Sequence, residues 1–263
     1  MDISDWVLPI SFCSVLFLTL WKFFFFPHHS VRSNKKLAIV WFTVMTACAI
    51  ALFTVLRTKS SVDVRDDVEE LVPYFLFSLV SVVVTQGALA VFGVSVRDDV
   101  AERRNASASV AAAGFTLGSA CCVAGSNIGN GPGFEVVLFC VALATGTLLT
   151  SWIILAALTR AVDTITVERD LGAGIRVGAW LAGCGAVLGA SIAGNWHSLS
   201  ATLGDFAHFG WPLVPSLFLL VMYERRIART VAGQEARLLT SVFLAVFFLV
   251  AATTYTIWIG RQG

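Results

Sequence analysis

The chain has 263 residues, 57% of them hydrophobic and 13% charged, with a formal net charge of +1. A soluble domain carries about 25% charged residues, so this composition excludes an ordinary water-soluble fold. The balanced charge also lacks the clustered Lys and Arg of a nucleic-acid footprint, which excludes that class of partner.

A membrane-crossing helix needs about 20 apolar residues. The chain offers eight such runs, at residues 6–26, 37–56, 71–95, 107–127, 135–159, 173–194, 203–223 and 237–259. The runs are continuous rather than alternating, which selects helices over a β-barrel. The expected fold is therefore all-α and integral to the membrane, with eight transmembrane helices arranged as hairpins. Asp2 and Asp5 precede the first run without a basic residue or a small-residue cleavage site, so that run is expected to be retained. His28 and His29 follow it beside Lys35 and Lys36, a grouping suited to anionic headgroups. Four units are expected: an N-terminal hairpin with an outer loop (1–70), two central hairpins (71–130 and 131–200) and a C-terminal hairpin (201–263).

Basic residues set the expected orientation. The segments after spans one, three, five and seven hold Lys22, Arg32, Lys35, Lys36, Arg97, Arg103, Arg104, Arg160, Arg169, Arg176, Arg225, Arg226, Arg229 and Arg237. These are 14 of the 18 Lys and Arg, and only Arg57, Lys59, Arg65 and Arg261 fall on the other side. The positive-inside rule then puts the majority in the cytoplasm and both termini outside.

The middle four spans read as a parallel internal repeat. A shift of 65 residues lays Asp98 on Asp163, Arg104-Asn105 on Arg169-Asp170, Phe115 on Trp180, and Gly118 on Gly183. It also lays the exit Ser126-Asn-Ile-Gly129-Asn130 on Ser191-Ile-Ala-Gly194-Asn195. An even number of spans per unit relates the copies by an axis along the membrane normal. Asn105 and Asp170 stand where an N-cap is needed at each second helix. Those helices are rich in small residues: Gly114 and Gly118, then Gly174, Gly178, Gly183, Gly185 and Gly189. Without Cβ bulk such backbones approach closely, so these two helices are expected at the centre.

The run RDDVAERRNASASVAAAGFTLGSACCVAG, with the apolar span before it, resembles the bacterial domain-of-unknown-function 350 family of YjfL-type inner-membrane proteins. That family has a two-helix unit with Asn near the start of the second helix and a Gly-x-x-x-Gly step, which Asn105, Gly114 and Gly118 match. The second copy, RDLGAGIRVGAWLAGCGAVLGASIAGNW, is similar but has Asp170 where the family has Asn. The resemblance covers roughly residues 70–200. It implies a bacterial inner-membrane location and repeated hairpins, and no reaction.

Chemistry is sparse. Glu135, Asp205 and Arg176 lie near span ends, at depths where water or headgroups reach them. The deepest polar residues are Ser78, Ser81, Thr85 and Gln86 in the third span and Thr145, Thr147, Thr150 and Ser151 in the fifth. They are either pore-lining stripes or hydroxyls bonded to their own helix carbonyls. In the outer loop, Asp205 and His208 share a helix face at i, i+3 and His197 precedes them, a weak metal-ligand set. Ser198 lacks a nucleophile-elbow context, and the six Cys lie in apolar runs where they act as packing residues. No cofactor is expected. Three functional classes follow: a non-enzymatic scaffold or accessory subunit, a channel or facilitator for a small solute or ion at the repeat interface, and an interfacial metal-dependent enzyme. The expected partners are the lipid bilayer and a second copy or another membrane protein.

Overall fold

The computed structural model describes residues 35–227 and 234–261. The first expected span, 6–26, lies outside them. Among the described residues the chain is helical, without strands. The helices are α1 (Lys35–Lys59), α2 (Val62–Asp66), α3 (Val68–Val91), α4 (Ala106–Ser126), α5 (Phe134–Leu158), α6 (Ala161–Thr166), α7 (Leu171–Ile192), α8 (Leu199–Gly210), α9 (Leu213–Ile227) and α10 (Gln234–Ile259). A π-helical turn, Val96–Glu102, links α3 to α4.

Five helices among the described residues are long and apolar enough to cross a membrane: α3, α4, α5, α7 and Leu238–Ile259 of α10. The number becomes six if α8 and α9 form one span, because they are bent by 42° at a short break. The expected seventh run, 203–223, is thus not one straight helix. Pro212 sits in the break, after Gly210 and Trp211. Proline lacks the N–H that continues a helix, and its ring collides with the carbonyl four residues back.

Packing centres on α4 and α7, the most extensive helix pair among the described residues. A Cβ added at Gly118 would stand 2.5 Å from the Leu181 carbonyl oxygen, and one at Gly178 would stand 2.6 Å from that of Val110. At Gly114, Gly125, Gly174, Gly185 and Gly189 it would come closer still to the facing backbone. Seven glycines therefore form one seam in which backbone meets backbone. Dispersion across such a seam is an attraction that lipid tails cannot replace. Gly183 lies on a different face, where an added Cβ would meet that of Ala252 on α10 at 3.0 Å. α1 packs on α4 and α10 on α7, while α3 and α5 flank the seam. Phe115, Leu148, Trp152 and Leu181 fill the space between α4, α5 and α7.

Local geometry recurs at the two seam helices. Arg104 (φ 52°) and Arg169 (φ 56°) are the non-glycine residues with positive φ among those described. Each is followed by the cap of its helix. Asn105 Oδ1 accepts from the Ala108 N–H at 3.2 Å, and Asp170 Oδ1 accepts from the Gly172 N–H at 2.8 Å. The Asn105 N–H donates to Asp99 O and the Asp170 N–H to Thr164 O, both at 3.0 Å. The caps then differ. Asn105 Nδ2 also donates to Ile165 O at 2.8 Å and Thr166 O at 3.2 Å, across to α6. Asn105→Ala should therefore cost about 3 kcal/mol, one cap plus two buried carbonyls left without a donor, against about 1 kcal/mol for Asp170→Ala. Thermal melts of the two purified variants check that order.

Candidate functional site

α1, α4 and α7 all end on the face opposite the loops that precede α4 and α7, and their ends are stitched together by backbone. The Gly129 N–H donates to Lys59 O and the Gly194 N–H to Ile128 O, both at 3.0 Å, and the Trp196 N–H donates to Asn130 O at 2.8 Å. The Asn130 N–H donates to Asn195 Oδ1 at 2.9 Å. Gly129 has φ 104°, and a Cβ there would run into the Gly194 carbonyl, so only glycine fits. These exits wall a cavity of about 880 Å³, within the roughly 300–1,000 Å³ range of small-molecule sites. Tyr74, Trp196 and Phe209 contribute aromatic walls. Asn127, Asn130, Asn195, His197 and Asp205 contribute polar ones.

Asn127 is a buried polar member of that wall, 4% exposed. Its Nδ2 donates to Val123 O at 2.7 Å and reaches Ser78 Oγ at 3.3 Å. Facing a carbonyl fixes the amide this way round. Its Oδ1 is then buried with no hydrogen-bond partner in the protein. A buried acceptor without a donor costs about 1–3 kcal/mol. Gln86 Nε2 and Ser119 Oγ are likewise buried and unpartnered. Thr116, Ser119 and Asn127 share one face of the α4 turn by their spacing, the face opposite the glycine seam.

A second polar centre lies at the charged end. Arg176 is fully buried. Its Nε donates to Glu224 Oε1 at 2.7 Å and its Nη2 to Glu224 Oε2 at 3.0 Å, a two-pronged pair. Its Nη1 donates to Ser241 Oγ. The guanidinium carbon stands 5.4 Å from the centre of the Tyr223 ring. One side chain thus ties α7 to α9 and α10. This corrects the expectation that Arg176 sits in headgroups among the loop cations. Setting it apart from those cations leaves the charge bias in the same direction.

Comparison with protein-family models, with curated proteins and with solved structures finds no match. Side-chain geometry is therefore what bears on function.

The polar stripes of α3 and α5 are bonded locally. Ser81 donates to Phe77 O at 2.8 Å and Thr85 to Ser81 O at 2.5 Å. Thr147, Thr150 and Ser151 donate to Leu143 O, Gly146 O and Thr147 O at 2.7, 2.7 and 2.9 Å. Gln86 turns to α4, where its Oε1 accepts from the Thr116 hydroxyl at 2.6 Å. Of the outer-loop residues, His197 and Asp205 line the exit cavity, whereas His208 packs edge-on to Phe209 with ring centres 4.9 Å apart. Among the described residues no three His, Cys, Asp or Glu side chains converge on a point that could hold a metal. Cys48, Cys122, Cys140 and Cys184 are buried free thiols and Cys121 is an exposed one.

Proposed function

We propose that the chain is a non-enzymatic, multi-pass protein of the bacterial inner membrane that serves as a scaffold or accessory subunit. In this reading it has eight spans, both termini outside, and a parallel repeat in the middle four, and it is kin to the domain-of-unknown-function 350 family. The repeat is supported by the paired turns at Arg104 and Arg169, the paired caps at Asn105 and Asp170, and the paired exits at Gly129 and Gly194. The observation that carries the scaffold reading is that α7 is committed on both faces. One face is locked to α4 through glycine backbone, and the other is tied to α9 and α10 through Arg176. A helix held this way at the centre resists the rocking that alternating access requires. Its partners in this reading are the bilayer and a second copy or another membrane protein.

A facilitator for a small neutral solute is the second reading, favoured by the buried unpartnered atoms of Gln86, Ser119 and Asn127. Stopped-flow light scattering on reconstituted vesicles separates the two. The scaffold reading expects glycerol and urea permeability equal to that of protein-free vesicles. A several-fold rise that Asn127→Leu abolishes would replace it with the facilitator.

A further inference from the structure

We infer that the shared end of α5 and α9 is a docking site for an anionic phospholipid, with its phosphate on Arg225 and an acyl chain laid between the two helices. Arg225 belongs to the last turn of α9, yet its Nε donates across to Leu158 O at 2.6 Å. Leu158 is the last residue of α5, and a carbonyl there has no partner within its own helix. The bond therefore caps α5 and fixes the guanidinium at the same time. The two Nη groups make no hydrogen bond or ion pair among the described residues, and the residue is exposed. A guanidinium held by Nε alone presents its remaining N–H donors as a ready fork for two phosphate oxygens.

The carboxylates around it are engaged elsewhere. Glu224, its neighbour in sequence, turns inward to Arg176, and Asp163 and Glu168, in the segment after α5, pair with Arg160 at 3.6 and 3.8 Å. A cation left uncompensated in this way favours an anionic headgroup over a zwitterionic one. The depth also fits. α5 has 25 residues and is apolar enough to cross a membrane, so its last carbonyl stands at headgroup level. Below Arg225 the surface is apolar. Phe218 precedes it by about two turns and Met222 by about one, so both share its face of α9, and both are exposed. Ile154 and Leu158, one turn apart and exposed, form the matching stripe on α5. The two helices meet over a short stretch, which leaves both stripes open to an acyl chain. The site requires the membrane-embedded chain proposed above, and it is independent of the choice between scaffold and facilitator.

The test places the full purified chain in nanodiscs of phosphatidylcholine and phosphatidylglycerol in equal parts, and native mass spectrometry reads which lipid the released protein retains. Phosphatidylglycerol should be retained about tenfold or more over phosphatidylcholine. Arg225→Gln keeps an N–H for the Leu158 carbonyl but loses the charge, and should remove that preference. Arg225→Lys keeps the charge and a donor for α5 but loses the fork, and should weaken retention about threefold or more. Arg226→Gln removes the same charge more than a quarter turn round the helix, and should retain phosphatidylglycerol as the parent does. Overturning results are no preference for phosphatidylglycerol, parental retention in either Arg225 variant, or equal losses in Arg225→Gln and Arg226→Gln, which would mark diffuse attraction to the surface. A chain that fails to enter nanodiscs overturns the membrane reading and this site with it, whereas the other outcomes bear on the site alone.

Discussion

Replacing Gly118 with leucine is expected to abolish the folded protein. Small-to-large substitutions in a packed interior cost about 1–3 kcal/mol where neighbours can shift. Here the first atom of the new side chain already stands 2.5 Å from the Leu181 carbonyl oxygen, and that oxygen belongs to helix backbone. Relief requires α4 and α7 to separate along the whole seam, which loses their contacts together, so the cost exceeds that range. A finer contrast isolates the cause. Gly185→Ala and Gly183→Ala change the same helix by the same methyl group, two residues apart. Alanine gains about 1 kcal/mol of helix propensity over glycine at either place. At Gly183 the methyl meets the Ala252 Cβ at 3.0 Å and, at an ordinary 3.5 Å, the Phe248 carbonyl oxygen, so the gain nearly offsets the crowding. At Gly185 it meets the Gly118 backbone, and the clash wins. Thermal melting and monodispersity of the two variants in detergent should therefore diverge, with Gly183→Ala close to the parent and Gly185→Ala strongly destabilised.

Glu224→Gln is expected to destabilise by about 3–5 kcal/mol, because it leaves the Arg176 guanidinium charged and buried without its counter-ion. A buried pair contributes less than this number suggests. Desolvating both ions offsets most of their attraction, so removing both should cost far less than removing either. Arg176→Met combined with Glu224→Leu should recover most of the lost melting temperature. Ser241→Ala should be milder than either single charge change, since it removes one neutral acceptor from a guanidinium still held by its carboxylate. A double-mutant cycle measures the coupling. Additive losses would mean that the two side chains do not meet.

What the sequence makes legible is what repeats along it. The apolar runs, the small-residue helices and the caps at Asn105 and Asp170 each announce themselves within one turn or one span. The seam is foreshadowed by Gly114-x-x-x-Gly118 and its counterparts, because spacing alone puts such residues on one helix face. Composition groups Gly183 with the seam, yet two residues from Gly185 is more than half a turn round the helix, which aims it at α10. Gly125 belongs to the seam but lies seven residues beyond Gly118, outside the four-residue pattern. The bend between α8 and α9 has a signal in Pro212 that an average over the run 203–223 conceals. Arg176 and Glu224 have no such signal. Each stands near the charged end of its own helix, where a lone charge reads as reaching for headgroups, and only antiparallel packing of α7 and α9 brings them level. The same holds for the exit cavity. Its walls come from helix ends far apart in sequence, and the orphaned Asn127 oxygen exists only because Val123 and Ser78 hold the other end of its amide.

The central claim is a repeat-built membrane core with the Asp98 and Asp163 loops on one side and its glycine exits on the other, and cysteine accessibility tests it most directly. In a cysteine-free background, single substitutions at Asp98→Cys and Asp163→Cys mark the two charged loops, and Asn130→Cys and Asn195→Cys mark the two exits; all four positions are exposed. A membrane-impermeant maleimide applied to intact cells should label positions 130 and 195 alike, and should reach 98 and 163 only after the membrane is permeabilised. Labelling of 130 and 195 from opposite sides would contradict the parallel repeat, and labelling of all four in intact cells would contradict the membrane-spanning core itself.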